Sequence, residues 1–166
     1  MYSPAFLARL RQKAGFNCER RDRPRAVVHV RRGDISRPEH SHRYLENSHF
    51  ANLIEKIQRA LPGVEVVVHS ESESPESFDE FEALGCVVKL DAPLEDAWQD
   101  MATADVLVIS KSSFSYVPAL FNPNVVLYTP FWHGKIAEWV DVTVDDCEAV
   151  LRNRADQRNA AIWSNQ

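Results

Sequence analysis

Glycine is scarce: the 166 residues hold five, at Gly15, Gly33, Gly63, Gly85 and Gly134. Neither G-x-G-x-x-G nor G-x-x-x-x-G-K-[ST] can be written from them, which excludes a dinucleotide fingerprint and a Walker loop. Any nucleotide phosphate must then be held by side chains and helix N-termini. Cysteine is scarce as well. Cys18, Cys86 and Cys147 lie far apart with no CxxC spacing, which argues against a zinc framework and a disulfide scaffold. No apolar run approaches the ~20 residues of a membrane helix. The opening MYSPAFLARLRQKAG lacks the apolar core of a signal peptide, so none is expected. A cytoplasmic protein and a fragment of a secretory-pathway enzyme both fit, and the compartment stays open. The composition, 45% hydrophobic and 26% charged, is close to the globular average and fits disorder, collagen and coiled coil poorly. The length suits one domain with a sizeable core.

The net charge of −5 hides an asymmetry. Residues 1–43 carry 11 of the 19 Lys and Arg and only 4 of the 24 acids, a balance of +7 against −12 for the remainder. All but Lys13 of those basic residues are arginines, whose planar fork suits phosphate and carboxylate. The acidic remainder would repel an extended polyanion, so no nucleic acid is expected and a small anion bound locally fits better. A solvated first helix accounts for Arg9, Arg11, Arg20, Arg21, Arg23 and Arg25.

Five short β-branched runs, at 26–30, 64–68, 86–90, 106–109 and 125–128, read as strands. Their near-continuous hydrophobicity is that of parallel strands covered on both faces. Helical stripes lie between them. Phe50, Leu53, Ile54, Ile57 and Leu61 predict a helix over 47–60, capped by Asn47 or Ser48 and stopped by Pro62-Gly63. Phe78, Phe81 and Leu84 follow Pro75, and Leu94, Ala97, Trp98 and Met101 follow Pro93. A last buried segment spans 113–121 around Pro118. Strand–helix alternation predicts an α/β fold: a Rossmann-like parallel sheet with helices on both faces. The expected division is a basic helical lead-in (1–24), a Rossmann-like domain (25–152) and a polar tail (153–166) free to fray.

Ligands of such sheets bind beyond the strands' carboxyl ends, which singles out the loops at 31–41, 69–75, 91–94, 110–115 and 129–135. The first strand runs into His29-Val30-Arg31-Arg32-Gly33-Asp34. Alternation places His29 and Arg31 on one face and Arg32 on the other, with Gly33 allowing a tight turn. Arg31 can offer a phosphate two parallel hydrogen bonds, or pair with Asp34. The fourth strand runs into Ser110-Lys111-Ser112-Ser113-Phe114-Ser115, a hydroxyl cluster that can cap a helix and bind an anion. Asp91 ends the third strand and could reach a ribose or base. His69 reads either as a buried, bonded histidine or as a site residue. Phe131-Trp132-His133 could close over a base or sugar, or pack in the core. Glu71, Glu73 and Glu76 read as a solvated loop. His40, His42 and His49 match no metal spacing, and no Ser-His-Asp or Cys-His arrangement can be argued.

VVHVRRGD, then RYLENSHF, VHSES and DVLVISKSSFSYVPALF, together resemble the donor-binding half of GDP-fucose-dependent fucosyltransferases, the α1,2/α1,6/protein O-fucosyltransferase group. The likeness spans about Arg25 to Tyr128. It implies the C-terminal half of a GT-B glycosyltransferase, inverting and metal-independent, with no cofactor beyond the donor GDP-fucose. By motif position, Arg31 binds the β-phosphate and helps the leaving group depart, with Arg32 beside it. Ser112 and Ser113 contact the phosphates. His69 and Ser70 lie near the donor. His29, Gly33 and Asp34 of the first motif, Lys111 and Phe114 of the serine loop, and Asp91 at the third strand's end complete the expected donor site. The implied partners are a nucleotide sugar and a glycan or protein acceptor. Twenty-eight residues before His29 are too few for an acceptor-binding half, so the chain is expected to be a fragment, to use a partner's surface, or to have shed that half. No acceptor base can be assigned.

Overall fold

The valine-rich runs do form strands, and the leucine and isoleucine stripes between them form helices. The computed structural model describes residues 2–16, 21–35, 39–74 and 76–163, with side chains to residue 157. In chain order the elements are α1 (Pro4–Ala14), β1 (Arg25–His29), α2 (Asn47–Ala60), β2 (Glu65–Ser70), α3 (Asp79–Ala83), β3 (Val87–Leu90), α4 (Leu94–Thr103), β4 (Val106–Val108), α5 (Ser113–Phe121), β5 (Val125–Tyr128), β6 (Val140–Asp141) and α6 (Cys147–Trp163). Cys18, Arg20 and Pro75, and with them part of the 31–41 loop and the end of the tail, lie outside the described residues.

The strands make one sheet in the order β3-β2-β1-β4-β5-β6. Every pairing is parallel. This is the doubly wound Rossmann-like order, and its direction reverses between β1 and β4. Side-chain alternation splits the core in two. Ala26, Val28, Val66, Val68, Val106 and Val108 face α2, α3 and α6, with Phe50, Ile54, Ile57, Phe81 and Leu151. Val27, Leu107, Ile109 and Val126 face α1, α4 and α5, with Leu7, Met101 and Ala119. The helices therefore cover both faces, as the sequence predicts.

Several details depart from expectation. Helix α2 has the predicted bounds, but its N-cap is Glu46 and makes no side-chain cap bond. The Asn47 amide is taken up elsewhere: it accepts from Arg32 and donates to the Ser77 carbonyl at 2.9 Å. Leu94 opens the predicted stripe of α4 yet is exposed. Through its described part the tail continues α6, which starts at Cys147 and runs through Trp163. Leu7 buries α1 against the second core, and Arg11 ties it to the Leu120 carbonyl and Glu138. The N-terminal positive charge is likewise partly absorbed at home: Arg25 pairs with Asp100 and Glu65, and Arg21 bonds Thr103. Among the described residues no helix is long and apolar enough to cross a membrane.

Candidate functional site

The strand order reverses between β1 and β4, and the crevice at the carboxyl ends of such a pair is where an α/β sheet takes its ligands. Arg31 leaves β1 on the α5 side and crosses to the β4 loop. Its Nη1 donates to Ser112 Oγ at 2.7 Å. Its Nη2 donates to both Asp34 carboxylate oxygens at 2.8 Å. Its Nε is buried without an acceptor. The Nε atoms of Arg25, Arg32 and Arg43 share this condition, and such a donor takes its acceptor from water or a ligand. The Arg31 guanidinium is thus oriented and one bond short.

Ser112 is the N-cap of α5. Its backbone is extended (φ −145°, ψ 136°) and its Oγ accepts from the Phe114 N–H at 3.2 Å. The cap relieves an unpaired amide at the helix start and presents the same oxygen to Arg31. Ser112 is fully buried, so it positions Arg31 instead of facing a ligand directly. Ser113 is the exposed member of the pair, and its Oγ lies 2.9 Å from His133 Nε2. Lys111 flanks the loop, with Nζ on the His42 carbonyl. Its charge, after burial, helps hold His49 below the ordinary histidine value.

His29 forms the floor. Ser110 Oγ bonds its Nδ1 at 2.7 Å, and the Phe114 ring lies 5.1 Å away. Burial first, and the Arg31 guanidinium second, push the His29 imidazole down to about 3. It is neutral at ordinary pH and adds no charge to the crevice. Gly33 turns the loop at φ +66°, a conformation that other residues rarely adopt.

Beside His29 and Ser112, three more residues expected at the donor are buried. Arg32 is 1% exposed. Its guanidinium donates to the carbonyls of Arg31 and Leu45 and to Asn47, pairs with Glu76, and lies 4.5 Å over the Tyr44 ring. Alternation in β1 turns it away from Arg31, so it knits the loop instead of facing the crevice. His69 is buried with Nε2 on Asp100 at 2.9 Å. Ser70 donates its hydroxyl to the Val30 carbonyl at 2.6 Å. Both lock β2 to its neighbours. Burial opposes ionisation of Asp100, but His69, Lys89 and Arg25 outweigh it and hold the carboxyl well below its usual range. Asp91, at φ 52°, accepts the Ser72 N–H at 3.0 Å and so ties the β2 loop to β3.

The glutamates read as solvated divide. Glu73 is exposed, but Glu71 accepts the Arg32 N–H at 2.8 Å and Glu76 pairs with its guanidinium. Sequence spacing also missed the approach of Ser113 to His133, which are twenty residues apart. The signal was there in part: His133 sits between Trp132 and Gly134 in a loop picked out by the strand-end rule. The Tyr128 hydroxyl fixes that loop by donating to the His133 carbonyl at 2.7 Å, and Tyr116 stacks on the His133 ring at 4.7 Å. Cys86 and Cys147 are free and buried, and burial pushes the Cys86 thiol up to about 11. Among the described residues no three His, Cys, Asp or Glu gather as a metal site requires.

No protein family matches the chain by sequence profile. No curated protein matches it either. Among solved structures, it is similar to the E. coli ADP-heptose LPS heptosyltransferase II at 12% identity and a TM-score of 0.48. The alignment covers 100% of this chain and 54% of that one. The chain therefore spans about half the length of the structure it matches.

Proposed function

We propose that this chain is the donor-binding half of a fucosyltransferase-like glycosyltransferase, which holds the diphosphate of GDP-fucose at Arg31 for inverting transfer to a glycan or protein hydroxyl. The observation that carries the reading is Arg31 itself: a guanidinium at the topological switch point, braced by the N-cap of α5, with a buried N–H awaiting an acceptor. The segments behind the sequence resemblance support it. VVHVRRGD, VHSES and SKSSFSYV lie far apart in the chain, yet they meet at the carboxyl ends of the adjacent strands β1, β2 and β4.

The chemistry follows from the charge. Sugar transfer from a nucleoside diphosphate builds negative charge on the departing phosphate. A fixed cation there stabilises the transition state more than the ground state. The α5 N-terminus adds its partial positive charge on the same side. Ser113 and Lys111 border the phosphate region, and no metal or cofactor is invoked.

One observation favours a second reading, a sugar-nucleotide- or glycan-binding module without catalysis. Asp34, the crevice carboxylate, is engaged by Arg31 and is not free as an acceptor base. Two measurements test the pair. Calorimetric titration with GDP, GDP-fucose, GDP-mannose and UDP should favour the guanine nucleotides, and a preference for UDP overturns the donor assignment. Radiolabelled GDP-fucose offered with a panel of glycan acceptors, with free fucose counted in parallel, separates transfer from binding alone.

A further inference from the structure

Trp132 is 49% exposed, at the end of a loop that is otherwise pinned. Phe131 packs edge-on to it at 5.0 Å, and the His133 next to it is held by Ser113 and Tyr116. A large aromatic held rigid and half in water is an unusual use of an indole, because its burial would stabilise the fold. Arg43, from the loop after β1, lays its guanidinium over the same ring, 4.7 Å from the centroid. Arg43 forms no ion pair among the described residues, and its Nε is buried without an acceptor. Contacts run without a break along one rim, from Arg31 to Ser112, then by way of Ser113 to His133, Trp132 and Arg43.

We infer that Trp132 and Arg43 form the platform on which the base of the bound nucleoside diphosphate stacks. This rests on the reading that Arg31 holds the diphosphate. Both members of the pair are planar, and indole faces and guanidinium planes each stack on nucleobases. A hexose could use only the indole. The pinned loop lowers the cost of ordering on binding. Stacking of this kind accepts any base, because every base has a π-face. The platform therefore contributes affinity for ADP as well as GDP, and selectivity for guanine must come from hydrogen bonds elsewhere.

The test is calorimetry on the full chain with GDP, ADP, GDP-fucose and inorganic pyrophosphate. Wild type, Trp132→Ala, Trp132→Phe and Arg31→Ala are compared, with each fold checked by thermal melting. Trp132→Ala should weaken GDP and ADP by about tenfold or more, the scale of one lost base stack, and leave pyrophosphate unchanged. Trp132→Phe should restore most of that loss. Arg31→Ala should weaken all four ligands, pyrophosphate included. Unchanged GDP affinity in a folded Trp132→Ala overturns the platform while leaving the diphosphate site standing. Weaker GDP-fucose with unchanged GDP overturns it too, because the indole would then hold the sugar. Pyrophosphate binding indifferent to Arg31→Ala, or no binding of any of the four by wild type, overturns the diphosphate reading and the platform with it.

Discussion

Replacing Asp34 with asparagine should tighten the binding of GDP. In the unliganded chain Arg31 Nη2 donates to both Asp34 oxygens at 2.8 Å, so a phosphate must displace or share that carboxylate. The pair is wet: the Asp34 side chain is 68% exposed. Exposed ion pairs are worth about 0.2–1 kcal/mol, and that much is recovered when the competitor loses its charge. A second contribution comes from the ligand, whose own negative charge no longer faces a carboxylate. At about 4 Å in a water-like medium that repulsion is about 1 kcal/mol. Together they amount to about 1–2 kcal/mol, or about 5–30-fold in affinity. Both contributions are electrostatic and exposed, so the gain should shrink as salt shortens the Debye length, about 10 Å at 0.1 M. Titration calorimetry at low and moderate ionic strength reads both effects. Unchanged or weaker GDP binding by a folded Asp34→Asn would refute the reasoning. It would mean that Arg31 is not the ligand's cation, or that the carboxylate itself grips the ligand.

Other substitutions separate binding from folding. Arg31→Ala should cost about 2–4 kcal/mol of GDP affinity, the scale of a lost charge-assisted contact, with little change in melting temperature; Arg31→Lys should recover little, because an ammonium cannot reproduce the fork. Arg32→Met should do the reverse: it strips a buried cation from Glu76 and two carbonyls, costing about 3–5 kcal/mol of stability, seen in denaturant unfolding. Ser112→Ala should cost about 1 kcal/mol of stability through the lost N-cap and also weaken GDP binding, because Arg31 loses its brace. Acid should destabilise the fold above the range of ordinary carboxylate titration. His29 stays neutral in the native state down to about 3, while the unfolded chain protonates it near pH 6.5. Between those values the unfolded state binds more protons, so stability falls with falling pH by up to about 1.4 kcal/mol per unit. His49, also held down, acts in the same direction. Thermal melts from pH 7.5 to 4.5 should show the slope, and His29→Asn should flatten it.

Much of the architecture was legible because its signals are local. Five strands and helices α2 and α5 fall within a residue or two of their predicted places, since β-branched runs, i, i+3, i+4 stripes and Pro-Gly stops need no tertiary information. What the sequence hid is tertiary. β6 has two residues, too short for any period to register. Helix α6 carries a polar tail, and only its packing through Cys147 and Leu151 onto the α2 side of the core reveals why it forms. Alternation separates Arg31 from Arg32, yet nothing local discloses that Leu45, Asn47 and Glu76 converge on Arg32. The internal partners of His69 and Ser70 are hidden for the same reason. A polar residue at a strand end reads as a ligand contact until its partner, Asp100 or the Val30 carbonyl, is seen. Ser113 and His133 meet only because β4 and β5 are neighbours.

The place of β1 in the sheet also bears on how the protein is made. β1 is made before both strands that flank it and becomes a central one: Val28 pairs with Val68 on one side and with Val108 on the other. At about 5–20 residues per second, the second partner emerges roughly 4–16 s after β1. Throughout that interval a buried apolar segment, 26–30, has an open hydrogen-bonding edge, the kind that recruits other chains. Arg23 and Arg25 stand before it, and Arg31 and Arg32 after it. Flanking charges of this sort act as gatekeepers against such pairing. These four arginines thus guard the nascent chain while the sheet is incomplete.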